Sequence, residues 1–478
     1  SSLQEWLDEK VELRAADLKV ESGVPFALHV VVQQTQRDEV TGNELAQRFK
    51  FRQGYYDGHE REFRGFGLVC QIDSEVTQAA EQEEGFTAPV LTKTWYHSGR
   101  YPLRSITGFY EGDENAVALG SDLLTTFANS SDQVILSPTD SDRREMAQSL
   151  AGAVLRVEVF GLEGDTPHAV PYSVQSSRYL VRQLAAVSEH QPYARQLSLM
   201  LESIGYQYEG RADDPMCQRV INLKWDKYGV LTHGAGVNVA RRKSPDDAPP
   251  FDDEHQQRWW QAAHDEAQQN IYLTETRAQP IHLEAAQTWR LGLPYLSRSN
   301  AMVALTSSVS ADDISYERFS DETGWFASLP RTLVSLSKQR YHSAGEGEAG
   351  FQALADYIEL AELDEHALTA YERVMTSDEL TAKLTEIGYQ KMACLLPDEP
   401  QRILWSVRRG FHTHAGAERF YRVEAFKPPF SHGLSTVEYD PYSLMVKSVT
   451  APDGCVTSAT YSYRAMQPVK IIDPNRNA

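Results

Sequence analysis

The chain has 478 residues, 41% of them hydrophobic and 10% aromatic, which excludes a disordered polymer and predicts about three domains. Its 67 acidic and 46 basic residues leave a net charge of −21, which argues against a nucleic-acid-binding surface and against adhesion to anionic membranes. No apolar run reaches the ~18 residues of a membrane-spanning helix, and four scattered cysteines (Cys70, Cys217, Cys394, Cys455) without a CxxC pair read as buried free thiols rather than a disulfide framework.

The stretch Gln53 to Gly67 carries the densest local signal. Its fifteen residues hold four glycines, four aromatics and five charges. Gly54, Gly58, Gly65 and Gly67 allow positive φ or close backbone approach, while Tyr55, Tyr56, Phe63 and Phe66 supply packing area. Without a Lys-Ser/Thr pair or a following helix, the stretch predicts a twisted β corner and not a phosphate cradle. Leu155 to Val159 and Arg219 to Trp225 alternate apolar and polar residues, as a sheet does with one face on a core and one on water. Asp226-Lys227-Tyr228-Gly229 predicts a turn, and Gly234-Ala235-Gly236 a hairpin end that lacks the third glycine of a dinucleotide fingerprint.

Ser244 to Glu254 is rich in Pro and Asp and reads as a linker; Glu254 to Gln269 should be helical, anchored by Trp259 and Trp260, before alternation returns over Ile271 to Thr276. Ser343 to Gly350 reads as a flexible loop. From Gly350 to Gly388 the apolar residues fall at helical spacing: Phe351, Leu354 and Ile358, then Leu368, Tyr371 and Met375, then Leu380, Leu384 and Ile387. Asp364 is a predicted N-cap, Thr376 with Glu379 a capping box, and Gly388 a left-handed C-terminal residue. Two or three short helices inserted in a β chain are expected. Tyr439-Asp440, Leu444 to Val446, Asp453-Gly454 and Tyr461-Ser462-Tyr463 predict a hairpin whose Asp-Gly is the turn and whose tyrosines share one strand face.

A search for chemistry finds no strong site. His412-Thr413-His414 puts two imidazoles on one strand face, with Glu418 near but no evident third ligand, so no metal dependence is expected. His264-Asp265-Glu266 reads as a solvated helix face. The acidic groups Asp213-Asp214, Asp246-Asp247 and Asp252-Asp253-Glu254 read as solvated loops, since a paired-carboxylate hydrolase needs a cleft that these do not announce. There is no Gly-x-Ser-x-Gly elbow. No catalytic, cofactor-binding or metal residue is therefore assigned.

Several segments carry a resemblance. The stretch GYYDGHEREFRGFG (Gly54 to Gly67) is similar to the middle region of the B component of bacterial ABC (Tc) insecticidal toxin complexes, which contain RHS repeats. Thr92 to Tyr101 resembles that family's TWxHxGRY, and Pro171 to Tyr179 its PYxVxxSRY. Trp289 to Pro294 and Tyr463 to Pro468 also match, in family order. The resemblance implies a mainly β protein with a helical insert: an antiparallel strip of degenerate RHS-type hairpins forming part of a hollow shell. The expected domains are a β-rich strip over 1–243, a linker with a short helix and strands over 244–345, the insert over 346–390, and strands with an RHS-like hairpin over 391–478. Asp226 to Gly229 and Asp473 to Asn477 resemble further diluted RHS turns, the latter with Arg476 where Gly belongs.

The same resemblance implies a non-enzymatic wall that helps enclose the toxic C-terminal part of the C component, for delivery through the A-component channel on which the propeller of the full-length chain docks. The complex is secreted, and neither nucleic acid nor direct membrane insertion is involved. The chain, opening Ser1-Ser2-Leu3, is expected to be cut from a longer polypeptide. The alternatives are a carbohydrate-active or hydrolytic β-protein using the acidic loops, or a partner-binding module using the helical insert.

Overall fold

In the computed structural model of the chain, residues 23–40, 42, 44–75, 89–101, 106–307, 309–396, 403–427 and 432–477 are described, with Leu7, Asp8, Lys10, Val11, Arg14 and Ala15. Two compact units result: residues 1–274 with 302–330, and residues 275–301 with 331–478. Both are mainly antiparallel β-sheet.

In the first unit the strands Gln33–Arg37, Glu44–Asp57, Glu62–Glu75, Val90–Tyr96, Val154–Glu163, Ser173–Ala185, Arg195–Gln207, Met216–Trp225 and Leu231–Asn238 each pair antiparallel with the next. Between Val90–Tyr96 and Val154–Glu163 the chain makes a hairpin, Leu123–Ala128 with Ser131–Val134, and a helix, Asp140–Ser149. The strand Ser173–Ala185 shares one edge between two neighbours. Its first part pairs antiparallel with Val154–Glu163 (Arg156↔Ser176), and its later part pairs parallel with the inserted hairpin (Leu123↔Leu180).

The alternation read from the sequence holds in Met216–Trp225: Arg219, Ile221, Leu223 and Trp225 are buried, while Gln218, Val220 and Lys224 are exposed. Ile314, Phe319 and Phe326, from the short helical segments after residue 310, pack on Ile221, Leu223, Ala235, Val237, Ile271 and Leu273. Tyr110, Val117 and Leu119 cover Val174, Ile204, Tyr206 and Tyr208. Each large apolar side chain buried this way contributes about 1.5–3 kcal/mol. Met216–Trp225 has one covered face and keeps a two-residue period; where both faces are covered, as at Leu180 and Val181, the period is lost.

The Asp226 turn forms as expected, with Gly229 at φ +83° and Asp226 Oδ1 accepting the N–H groups of Tyr228 and Val230 at 2.8 and 2.9 Å. Gly234-Ala235-Gly236 does not end a hairpin; it lies inside Leu231–Asn238, with Ala235 in the core. Only Glu254–Ala263 of the expected long helix is α-helical, capped by Asp253, and Glu266–Gln269 is a 3₁₀ turn capped by Asp265. Trp259 anchors nothing, being 72% exposed, whereas Trp260 stacks on His264 at 4.0 Å.

In the second unit, residues 296–301 pair with Thr332–Tyr341, which pairs with Ala355–Leu363, then Ile403–Arg409, then Gln390–Ala393. Leu336, Met392, Cys394, Leu396 and Leu404 form one core, and Ile281, Leu293 and Tyr341 another. The helical insert is shorter than its spacing predicted. Ala355–Leu363 is a central strand, with Ile358 opposite Gln339 on one side and Arg409 on the other. Two ladders satisfy its backbone, and that tertiary pairing overrides a helical period carried by three apolar residues. Helix occurs at Glu365–Thr369, capped by Asp364, and at Ser377–Glu386, where Thr376 and Glu379 form the capping box and Gly388 follows at φ +98°.

The unit ends in a six-stranded antiparallel meander: His412–His414, Val423–Phe426, Ser435–Tyr439, Val446–Thr450, Val456–Ser462 and Gln467–Ile472. Gly454 (φ +84°) turns the Asp453-Gly454 hairpin, where Asp453 Oδ1 accepts the Cys455 N–H at 2.9 Å. Tyr463 lies past the end of Val456–Ser462, in the next turn, so it does not share a strand face with Tyr461. In the last turn it is Arg476 that takes the left-handed conformation (φ +68°), in the place where glycine was expected, while Asp473 Oδ1 accepts the Asn477 N–H at 2.8 Å.

Candidate functional site

The stretches that carry the resemblance lie in strands and in the turns that join them. The Gly-rich stretch is the hairpin of Glu44–Asp57 and Glu62–Glu75, buckled by a register shift between Tyr55 and Tyr56. Gln53 and Gly65 take φ of +57° and +100° around that shift. A Cβ on Gly54 would stand 2.6 Å from Val24 Cγ2, and one on Gly67 3.1 Å from Gln53 Oε1; Gly58 has ordinary φ and open space around it. Thus Gly65 is needed for its backbone and Gly54 for close approach, and Gly58 for neither. Phe51, Phe63 and Phe66 cluster with ring centroids 4.9 and 5.3 Å apart.

At the tip of the hairpin, Asp57 Oδ1 accepts the N–H groups of His59 and Glu60 at 3.0 and 3.2 Å. Burial pushes the Asp57 carboxyl up, but those hydrogen bonds and the Arg64 charge hold it below the usual carboxylate range. Glu60 accepts the Tyr193 O–H at 3.0 Å, and Glu145 of the Asp140–Ser149 helix accepts the Ala194 N–H at 3.0 Å. Glu60, Glu62, Arg64, Glu145 and Tyr193 border an open groove of ≈ 380 Å³.

The other motifs do similar work. Trp95 is fully buried, and its Nε1–H donates to the Thr107 carbonyl at 3.3 Å. His97 is buried with Nε2 3.4 Å from Asp122 Oδ2 and its ring edge-on to Tyr179 at 5.8 Å. Burial pushes His97 down and Asp122 up, which favours the neutral form of each. Arg178, 4% exposed, holds Glu202 at 2.6 Å, Glu317 at 2.7 Å and the Ser121 carbonyl at 2.6 Å, joining separate segments of the first unit. Arg182, fully buried, grips both oxygens of Asp132 at 2.8 and 2.7 Å, donates to the Asp226 carbonyl at 2.6 Å and lies 4.4 Å over the Phe127 ring. In the second unit Glu275, also fully buried, accepts from Arg277, Arg331 and Asn300 at 2.8 Å or just above. Gly292, in the Trp289 to Pro294 motif, takes φ +72° and donates its N–H to His282 Nδ1 at 3.0 Å.

Two readings of the acidic and histidine clusters need correction. His264 is not on a solvated face: it is 4% exposed, with Nδ1 2.7 Å from the Trp260 carbonyl and Nε2 2.8 Å from Asp214 Oδ2. Nor is Asp214 in a free loop, since it also meets Arg241 at 2.7 Å and the N–H groups of Arg242 and Lys243. Burial pushes Asp214 up, yet these partners leave it below the usual range. Asp247 closes on Ser244 at 2.7 Å, and Asp253 caps its helix. Sequence reading missed the buried joints of Arg178, Arg182 and Arg331 because their carboxylate partners lie tens of residues away; the one available signal was an arginine on the apolar face of an alternating strand, as with Arg219.

His412 and His414 do lie together, with ring centroids 6.2 Å apart, and a third ring, His342, stands 5.3 Å from His414. Among the described residues no group of three His, Cys, Asp or Glu side chains is placed to hold a metal ion. No helix among them is long and apolar enough to cross a membrane. The chemistry of these joints is mechanical: paired charges and fixed turns that set strand geometry.

Residues 1–99 match the family model "Insecticide toxin TcdB middle/N-terminal region", and residues 145–293 match "Insecticide toxin TcdB middle/C-terminal region". No curated protein matches the chain. Among solved structures, the crystal structure of TcdB2-TccC3-Cdc42 is similar over 100% of this chain and 22% of its own, with TM-score 0.85 and 30% identity. That of TcdB2-TccC3 is similar over 99% of this chain and 23% of its own, with TM-score 0.83 and 29% identity. A Tc holotoxin pore of Photorhabdus luminescens is similar over 98% of this chain and 22% of its own, with TM-score 0.82 and 29% identity. This chain therefore spans under a quarter of the length of those relatives, and it belongs to the family of the middle region of the Tc toxin B component, TcdB.

Proposed function

We propose that this chain is a wall segment of a shell that a B component builds with its C component, enclosing the toxic C-terminal part of the latter for passage through the A-component channel. The wall itself carries out no reaction. The whole is released as a secreted toxin complex.

The observation that carries this reading is the end-to-end likeness, at 98–100% of the chain, to TcdB2-TccC3 complexes and to a Tc holotoxin pore. Physical features support it. The strand Met216–Trp225 has a covered face and a free face, and buried charge pairs pin the strands of the first unit, which suits a stiff wall. The acidic residues that a hydrolase would need are engaged in caps and ion pairs, as Asp214, Asp247 and Asp253 show. The test is co-expression of the B component containing this region with its C component, followed by limited proteolysis. A stable complex in which the toxic part resists protease is expected. A complex that forms but leaves that part as sensitive as in the free C component would overturn the enclosing role.

A further inference from the structure

The last unit contains a histidine cluster for which neither the motifs nor the wall role accounts. His412 and His414 sit two residues apart on the short strand His412–His414, so both rings leave the same face. His342, just after the strand Thr332–Tyr341, reaches this face. Its Nε2–H donates to the backbone carbonyl of His412 at 2.8 Å, and its ring meets that of His414 edge-on at 5.3 Å. The three-residue strand is otherwise held by pairing with Val423–Phe426, with a register shift at His414. Gly410, at φ +65°, turns the chain into it from the strand Ile403–Arg409. We propose that His342, His412 and His414 form a proton-operated latch, which docks the first strand of the meander in the second unit when the rings are neutral and frees it when they are protonated.

The surroundings decide the direction. The carboxylates that face the rings are Asp356, on the strand Ala355–Leu363, whose Oδ1 lies 3.9 Å from His342 Nδ1, and Glu424, on the strand Val423–Phe426. Glu424 is already engaged by Arg419. Phe426 lies parallel to the His412 ring at 6.5 Å and offers no charge. Nδ1 of His412 and of His414 is buried without a hydrogen-bond partner, so a proton added there meets no acceptor. One imidazolium is offset by Asp356; a second and third are not, and like charges about 6 Å apart in a partly buried place repel. Burial, then the neighbouring His342 and His412, hold His414 below its ordinary value of 6.5. The sign follows. A histidine with a depressed folded value binds protons more readily when its segment is released, so docking is complete above pH 6.5 and weakens as pH falls through the folded value.

The test is hydrogen exchange on the 478-residue chain at pH 7.5 and 5.5, corrected for intrinsic rates and read on peptides from residues 411–427. Protection there is expected to fall at the lower pH, while peptides from Met216–Trp225 keep theirs. In His414→Gln the two pH values should give the same protection over 411–427. Equal protection at both pH values in the native chain overturns the latch, and that comparison needs no variant to fold. So does a loss spread over all peptides, or a loss that persists in both His414→Gln and His342→Gln.

Discussion

The sheet of the first unit and the meander of the second are both antiparallel, yet they are held by different means. The first has strands of up to 14 residues, packed under helical turns and loops, and arginines drawn into the covered side. The meander has strands of 3 to 7 residues, and its last, Gln467–Ile472, is exposed at all but one position. A long strand with a covered face can carry a buried charge, because its neighbours supply fixed partners on both sides. A short strand with two wet faces depends on its turns. Damage to the first should therefore come through stranded charges, and damage to the second through backbone angles.

The sharpest way to break this contrast is Arg182→Met. It leaves Asp132 buried beside an apolar group, and removing one partner of a buried pair costs about 3–5 kcal/mol. Urea denaturation should register that loss; a change below about 1 kcal/mol would mean that the buried pair behaves like a surface one. Next in size is Gly65→Val. Nothing stands within 4 Å of a Cβ at Gly65, so the whole effect is the φ of +100°, which a β-branched residue tolerates badly, by about 1–3 kcal/mol. Gly67→Val should fall below it, since Gly67 has ordinary φ and its Cβ would meet Gln53 no closer than 3.1 Å. In the meander, Gly454→Ala at φ +84° should lower stability by about 1 kcal/mol. If it proved as damaging as Arg182→Met, the two regions would not differ in the way their burial indicates.

The sequence was readable where a signal is local. The alternation in Arg219 to Trp225, the Asp-Gly turn, the Asp364 cap and the Thr376–Glu379 box all formed, because each rests on residues within a few positions of one another. Three apolar residues at helical spacing misled at Ile358, since a strand with a ladder on both sides outweighs so short a period. The fold-level identity was legible through its motifs, but their work was not. Arg178 in the Pro171 to Tyr179 motif acts through Glu202 and Glu317, the latter 139 positions away, and only the folded chain brings them together. The same holds for Asp214 with His264, 50 positions apart and read from sequence as two solvated groups.

The smallest effect is expected at Tyr463. A tyrosine ladder along the meander would make Tyr463→Ser strongly destabilising if the ring were buried. The ring is instead 49% exposed, edge-on to Tyr442 at 5.7 Å, and its O–H donates to Asp440 Oδ2 at 2.6 Å. Asp440 keeps the N–H groups of Leu444 and Met445 without it. Both Tyr463→Phe and Tyr463→Ser should therefore move Tm by less than about 2 °C. Among the described residues, Gln467–Ile472 pairs only with Val456–Ser462, so its other edge is available to a further strand. A second strand laid on that edge could cover the Tyr463 ring. If Tyr463→Ser lowers Tm by as much as Arg182→Met does while Tyr463→Phe does not, the ring is covered in solution. Self-association through that edge, read by sedimentation at rising concentration, is the first cause to test.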